Sequence, residues 1–216
     1  MNRKNPASSN DQIETRNGVG FAPGTVFSFT VNAILFVVIL ALGLWADLGT
    51  KSYIFANYYS PNTDYQSAHW WVDGIFGIQT STNPGALFGI GAGYHLLFAA
   101  ISFVFLGFIL TWLLGFGGLR DRWLSICFGM ISAGILGNLY DRLGYGHGFG
   151  LPEACRNHVR DWILFRLEGV PGFDPWPNFN IADSLLVVGA ILLFIHGLLR
   201  PAVPVPDSPA THRGPE

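Results

Sequence analysis

"NFNIADSLLVVGAILLFIHGLL" (178–199) places a carboxylate, Asp183, and two asparagines, Asn178 and Asn180, at the mouth of a long apolar run. The run, over roughly 180–200, has about the 20 residues that an α-helix needs to cross the hydrocarbon core of a bilayer. An ionisable group at that depth costs a few kcal/mol on insertion scales, so it marks a functional site by default. Whether this chain is a membrane protein, and what the acid does there, are therefore one question.

Working outward, three more runs have the same character. They are "VFSFTVNAILFVVILALGLWA" (26–46), "YHLLFAAISFVFLGFILTWLLGF" (94–116) and "WLSICFGMISAGILGNLYDRL" (123–143). Soluble helices average nearer 12 residues, so the pattern predicts an all-α membrane fold of four transmembrane helices. Composition agrees: 50% of the 216 residues are hydrophobic and 12% charged, against about 25% charged in ordinary soluble domains. Residues 26–200 read as one domain. Residues 1–25 and the proline-rich stretch 201–216 are expected to be disordered tails, the first lacking the pattern of a cleavable signal peptide.

The formal net charge is −2 and no basic run occurs, which argues against a nucleic-acid partner. Cys127 lies in an apolar run and Cys155 in a polar connection, so the two are not expected to pair. The histidines and cysteines show no HxxxH, HExxH or CxxC spacing, and neither a metal nor a cofactor is called for. "GIGAG" (89–93) lacks the strand, helix and lysine of a phosphate-binding loop.

Four spans put both termini on one side, together with the tight turn carrying Arg120 and Arg122. The positive-inside rule works best on short loops, so this side is expected to be cytoplasmic. The two longer connections, 47–93 and 144–179, then lie outside. The first contains "YIFANYY" and "HWWVDGIFGIQ", aromatic and β-branched, and is expected to form a small sheet on the membrane surface. The second contains the turn-rich "GLPEACRN" and "GVPGFDPWPN".

Polar groups gather at the outer helix ends. Asp47 and Lys51 stand four residues apart, as an ion pair on one helical face requires. Asn138, Asp141 and Arg142 share a face of the third helix, and Asn180 and Asp183 open the fourth. Asp161 sits in the connection between them. Each has a plain structural reading. Asn180 fits an N-cap with Asp183 in the first turn, Asp47–Lys51 a structural pair, and Asp141–Arg142 a helix-end pair. Together, carboxylates collected at one end of a bundle point to acid–base chemistry or cation binding. Two aspartates sharing a proton can activate water, one as base and one as acid. The residues alone leave open whether Asp183 partners Asp141 or Asp161.

Five motifs in order, "DLGTK" (47–51), "NPGALF" (83–88), "GNLYDR" (137–142), "VRDWI" (159–163) and "FNIAD" (179–183), resemble the lipoprotein signal peptidases, the signal peptidase II family of bacterial membrane aspartyl peptidases. The resemblance covers roughly residues 30–200. It implies that Asp161 and Asp183 are the catalytic pair. It also implies that Asn138, Asp141, Arg142, Asn180, Asn83 and Gly85 shape the site and hold substrate, and that Asp47 and Lys51 form a structural pair. The implied substrates are prolipoproteins, cut just before a diacylglyceryl-modified cysteine by an enzyme expected to be monomeric among the lipids of the inner membrane. A scissile bond at the membrane surface explains why the acids are there.

The chain departs from the family pattern in two side chains and in the spacing around Asp161. Leu87 replaces a second alanine and is expected to narrow the pocket. Arg160 replaces an apolar residue just before Asp161, where its cation is expected to lower the pKa of that acid. The segment 146–157, "GHGFGLPEACRN", reads as an insertion, and the turn "EGVPGFDPWP" stretches the spacing between Asp161 and Asp183. Two other classes compete with a peptidase. A proton- or cation-coupled transporter would carry its acids near the midplane on broken helices, and a non-enzymatic homologue need not keep the acids at all.

Overall fold

A computed structural model of the chain describes residues 23–59, 68–85, 90–174 and 176–199. The elements are α1 (Pro23–Tyr58), β1 (His69–Val72), β2 (Phe76–Asn83), α2 (His95–Gly115), α3 (Arg122–Arg142), β3 (Val159–Phe165), β4 (Trp176–Phe179) and α4 (Ile181–Leu199). Among the described residues, four helices are long and apolar enough to cross a membrane. The expected tails, 1–25 and 201–216, lie outside these residues but for the first turn of α1.

Helix α1 differs from expectation. At 36 residues and 1.5 Å per residue it is about 54 Å long, well beyond a hydrocarbon core of about 30 Å. Asp47 and Lys51 therefore lie inside the helix and not at its end. "YIFANYY", expected as a strand, is helical through Tyr58. The physical reason is burial in helical phase: Ile54 and Phe55 turn into a core cluster with Ile78, Leu151, Trp162 and Ile163. Neutralisation of Asp47 by Lys51 removes the charge that would have stopped the helix earlier.

Helix α3 is the buried one. It packs between α1 and α4, with Cys127, Ala133 and Asp141 fully enclosed. Small residues allow the close approach, as is usual between membrane helices. A Cβ added at Gly137 would sit 2.3 Å from Asp47 Oδ2 and 3.2 Å from the Ala182 Cβ, so three helices meet where only glycine fits. The outward faces of the other helices keep Ile34, Leu42, Leu96, Val104, Phe194 and Leu198 exposed, the apolar surface that a bilayer covers. At the opposite end of the bundle Asp121 caps α3 through the Trp123 and Leu124 amides, and its other oxygen lies 2.8 Å from His196 Nε2.

The sheet is antiparallel in the order β1-β2-β3-β4. The first connection was expected to form it alone. The second connection supplies half of it, because "HVRDWILF" offers a buried strand that β2 needs on its free side. The hairpin over "HWWVDGIFGIQ" occurs as expected. Cys127 and Cys155 are both free thiols.

Candidate active site

Strand β3 and the first turn of α4 bring Asp161 and Asp183 onto one cavity of about 610 Å³. Asn83, Gly85, Asn138 and Arg142 also line it, and Trp176, Phe179, Leu186 and Val187 form apolar walls. Of the two partners the sequence left open for Asp183, the cavity receives Asp161. Asp141 is sealed behind it, 0% exposed. It does not line the cavity.

Three asparagine amides hold the two carboxylates, and each has its carbonyl end fixed by a donor. Asn138 Oδ1 accepts from Lys51 Nζ at 3.0 Å and Asn180 Nδ2 at 3.1 Å. Its Nδ2 must then turn to Asp183, donating to Oδ1 at 2.8 Å. Asn180 Oδ1 accepts from the Asp183 backbone N–H at 2.9 Å, which leaves its Nδ2 to donate to Asp161 Oδ1 at 2.6 Å. Asn83 Oδ1 accepts from the Gly85 N–H at 3.0 Å, and its amide donates to Asp161. A lysine ammonium and backbone N–H groups cannot reverse role, so the orientation of all three amides is determined.

Asn180 serves two ends. It is the N-cap of α4, and Asp183 Oδ2 accepts from the Asn180 N–H at 3.1 Å, completing a reciprocal capping box. The plain structural reading and the functional one thus describe the same side chains.

The carboxylates differ in setting. Burial, and then the negative charge of Asp183, push the Asp161 carboxyl well above the usual carboxylate range, opposed by Lys51 and the Asn180 and Asn83 amides. Asp183 is partly exposed and accepts on both oxygens.

Behind the cavity lies a second layer of charge. Lys51 Nζ is 2.8 Å from Asp47 Oδ2 and 3.1 Å from Asp141 Oδ2, all three side chains being fully enclosed. Asp47 Oδ1 accepts from the Ala182 N–H at 2.9 Å, tying α1 to the start of α4. Arg160 binds Asp141 on this side, so its cation is directed away from Asp161. Neighbouring strand residues face opposite ways, so Arg160 turns to Asp141 while Asp161 faces the cavity. Leu87 lies outside the described residues.

Sequence reasoning missed the part of Lys51 in orienting Asn138, and the walls from Trp176 and Phe179. The first could have been sought in the four-residue spacing to Asp47. No local signal marks the second.

A family model described as signal peptidase (SPase) II matches residues 25–199. The chain belongs to the signal peptidase II family. A lipoprotein signal peptidase of Rhodopirellula baltica is 44% identical over 181 residues, 84% of this chain and 78% of that one. One from Syntrophus aciditrophicus is 30% identical over 173 residues, 75% of this chain and 91% of its own. A solved structure described as a bacterial membrane enzyme, obtained by the in meso method at 2.3 Å, superposes with a TM-score of 0.62 at 25% identity. It covers 79% of this chain and 93% of its own. Membership of the signal peptidase II family accounts for a multi-pass membrane protein.

Proposed function

We propose that Asp161 and Asp183 are the catalytic pair of an aspartic-type membrane peptidase that removes signal peptides from lipid-modified prolipoproteins. The observation that carries the residue assignment is the set of three pinned amides, all of which turn donors onto these two acids. Such a set positions carboxylates and favours their accepting lone pairs. A transporter would place its acids near the midplane of interrupted helices, whereas these stand on a strand and at a helix start.

The chemistry follows from the two settings. Asp183, with donors on both oxygens, is the carboxylate, and Asp161, buried, carries the shared proton. A water between them gives a proton to Asp183 as its oxygen attacks the scissile carbonyl, while Asp161 protonates the carbonyl oxygen. In the collapse of the resulting diol, Asp183 passes its proton to the leaving amine and Asp161 recovers one from a hydroxyl. No acyl-enzyme forms. Arg142 and Asn83 line the path of the peptide, and Asn138 and Asn180 hold the acids. Lys51 with Asp47 supports Asn138 from behind. We further take the termini to be cytoplasmic, the site to face outward, and the enzyme to act as a monomer on diacylglyceryl-cysteine precursors lying beside the bundle.

The test is a gel-shift assay of a diacylglyceryl-modified prolipoprotein with purified parent, Asp161→Asn, Asp183→Asn and Asp141→Asn proteins in detergent. Cleavage by the parent and loss in both dyad variants is expected, at unchanged folding. Activity surviving in Asp161→Asn would move the assignment to another acid, and an inactive parent on several lipidated precursors would favour a non-enzymatic homologue.

A further inference from the structure

We propose that Arg160 is a positioning residue for the reaction: anchored to Asp141 and enclosed by the 146–157 loop, it holds β3 so that Asp161 faces Asp183. This rests on the reading of those two aspartates as the catalytic pair.

The need for a brace is visible in the sheet. The β2–β3 register shifts between Ile78 and Ser81, immediately beside the Ser81–Asp161 pairing. On the other side β4 pairs with β3 at Ile163 and Phe165 and does not reach Asp161. The ladder is thus irregular on one edge and ends short on the other, at the residue whose placement matters most.

Arg160 supplies the missing hold from the back face. Asp141, on buried α3, accepts from Arg160 Nε at 2.9 Å and from its backbone N–H at 3.1 Å, with Nη2 also 2.9 Å away. The carbonyl of the same residue, in the peptide that leads to Asp161, accepts from Asn180 Nδ2 at 3.4 Å. Both peptide groups flanking this position are therefore tied to helices. Asp141 connects to the other acid as well, through Lys51 and Asn138. One carboxylate references both catalytic groups to α3.

The inserted loop completes the clamp. Arg160 is 1% exposed, its guanidinium lying 5.9 Å from the Phe55 ring centre and 5.7 Å from that of Phe149. Phe149 has φ 56°, a conformation that a bulky residue adopts only when its contacts compensate. Gly146 closes the space: an added Cβ would lie 2.0 Å from Asp141 Oδ1 and 2.8 Å from Arg160 Nε. Leu151 fixes the loop in the core beneath the sheet. Arg160 and the insertion, two separate departures in sequence, are thus in contact in the fold. Two cations, Lys51 and Arg160, face two acids, Asp47 and Asp141, so the layer is charge-balanced.

The experiment compares parent, Arg160→Val, Arg160→Lys, Phe149→Ala and, as the control for the dyad, Asp161→Asn. Cleavage of a lipidated precursor is measured as kcat and KM per folded molecule, with pH profiles. A positioning role predicts that Arg160→Val lowers kcat tenfold or more, changes KM less than twofold and leaves the pH limbs in place. Arg160→Lys should recover part of the loss, and Arg160→Val with Phe149→Ala should be no worse than Arg160→Val alone. An unchanged kcat per folded molecule would show a role in folding only and overturn the proposal. Displaced pH limbs would overturn it in favour of a direct field. If Arg160→Val does not fold, Phe149→Ala decides alone: kcat must fall at least threefold with KM kept, and an unchanged kcat overturns the proposal. An active Asp161→Asn would instead break the dyad reading on which the proposal stands.

Discussion

Replacing Lys51 by methionine separates stability from positioning. The ammonium is 0% exposed and lies within 3.1 Å of Asp47 and Asp141, so solvent does not screen it. Removing one partner of a buried ion pair leaves an uncompensated charge and costs about 3–5 kcal/mol. Asp141 keeps Arg160, which leaves Asp47 as the orphan and favours the lower end. For a chain of this size that is a fall of roughly 6–20 °C in unfolding temperature, measurable by differential scanning fluorimetry in detergent. Asp47→Asn with Lys51→Met should recover part of the fall, since the amide retains an acceptor for the Ala182 N–H. It should not recover full activity, because the Asn138 carbonyl end has lost its charged donor and keeps only the Asn180 amide. Losing a hydrogen bond to a charged group costs about 1.5–3 kcal/mol, roughly ten- to a hundredfold in rate. An unfolding temperature within about 2 °C of the parent, or full activity in the double variant, would refute this reasoning.

Asn180→Asp keeps an N-cap oxygen but turns a donor into a negative acceptor beside Asp161. Cleavage should fall by roughly ten- to a hundredfold, and the unfolding temperature should fall as well, because the new charge is fully buried among three acceptors. Gly137→Ala should cost about 1–3 kcal/mol by overpacking, read as a lower unfolding temperature, whereas Gly107→Ala, with nothing within 4 Å of the added Cβ, should cost none. Because the folded state holds the Asp161 proton more tightly than the unfolded chain, stability should decline as pH rises from the ordinary carboxylate range through the raised value. Unfolding scans across pH should show that decline in the parent and not in Asp161→Asn. Chelators should leave the cleavage rate unchanged.

The helices could be read from the sequence because each is an unbroken apolar run of bilayer length, a property local to 20 or so residues. The site residues were legible as types, since acids and amides are costly at membrane depth wherever they stand. Which acid pairs with Asp183 was not, because Asp161 and Asp141 are both polar groups near one interface, and only the resemblance chose between them. The boundary of α1 was missed for a related reason: a charged "DLGTK" reads as a helix end until its partners on α3 are known. The same holds for the sheet, half of which comes from a connection far away in sequence.

What the chain determines by itself is hydrophobic pattern, and with it four spans and a polar end. What only the tertiary structure decides is direction: that Asp161 faces the cavity and Arg160 its rear, and that Asp141 lies sealed beneath. Strand alternation fixes the opposition of neighbours, but which face is inward depends on what packs against each side. Here α3, α4 and the inserted loop make that choice.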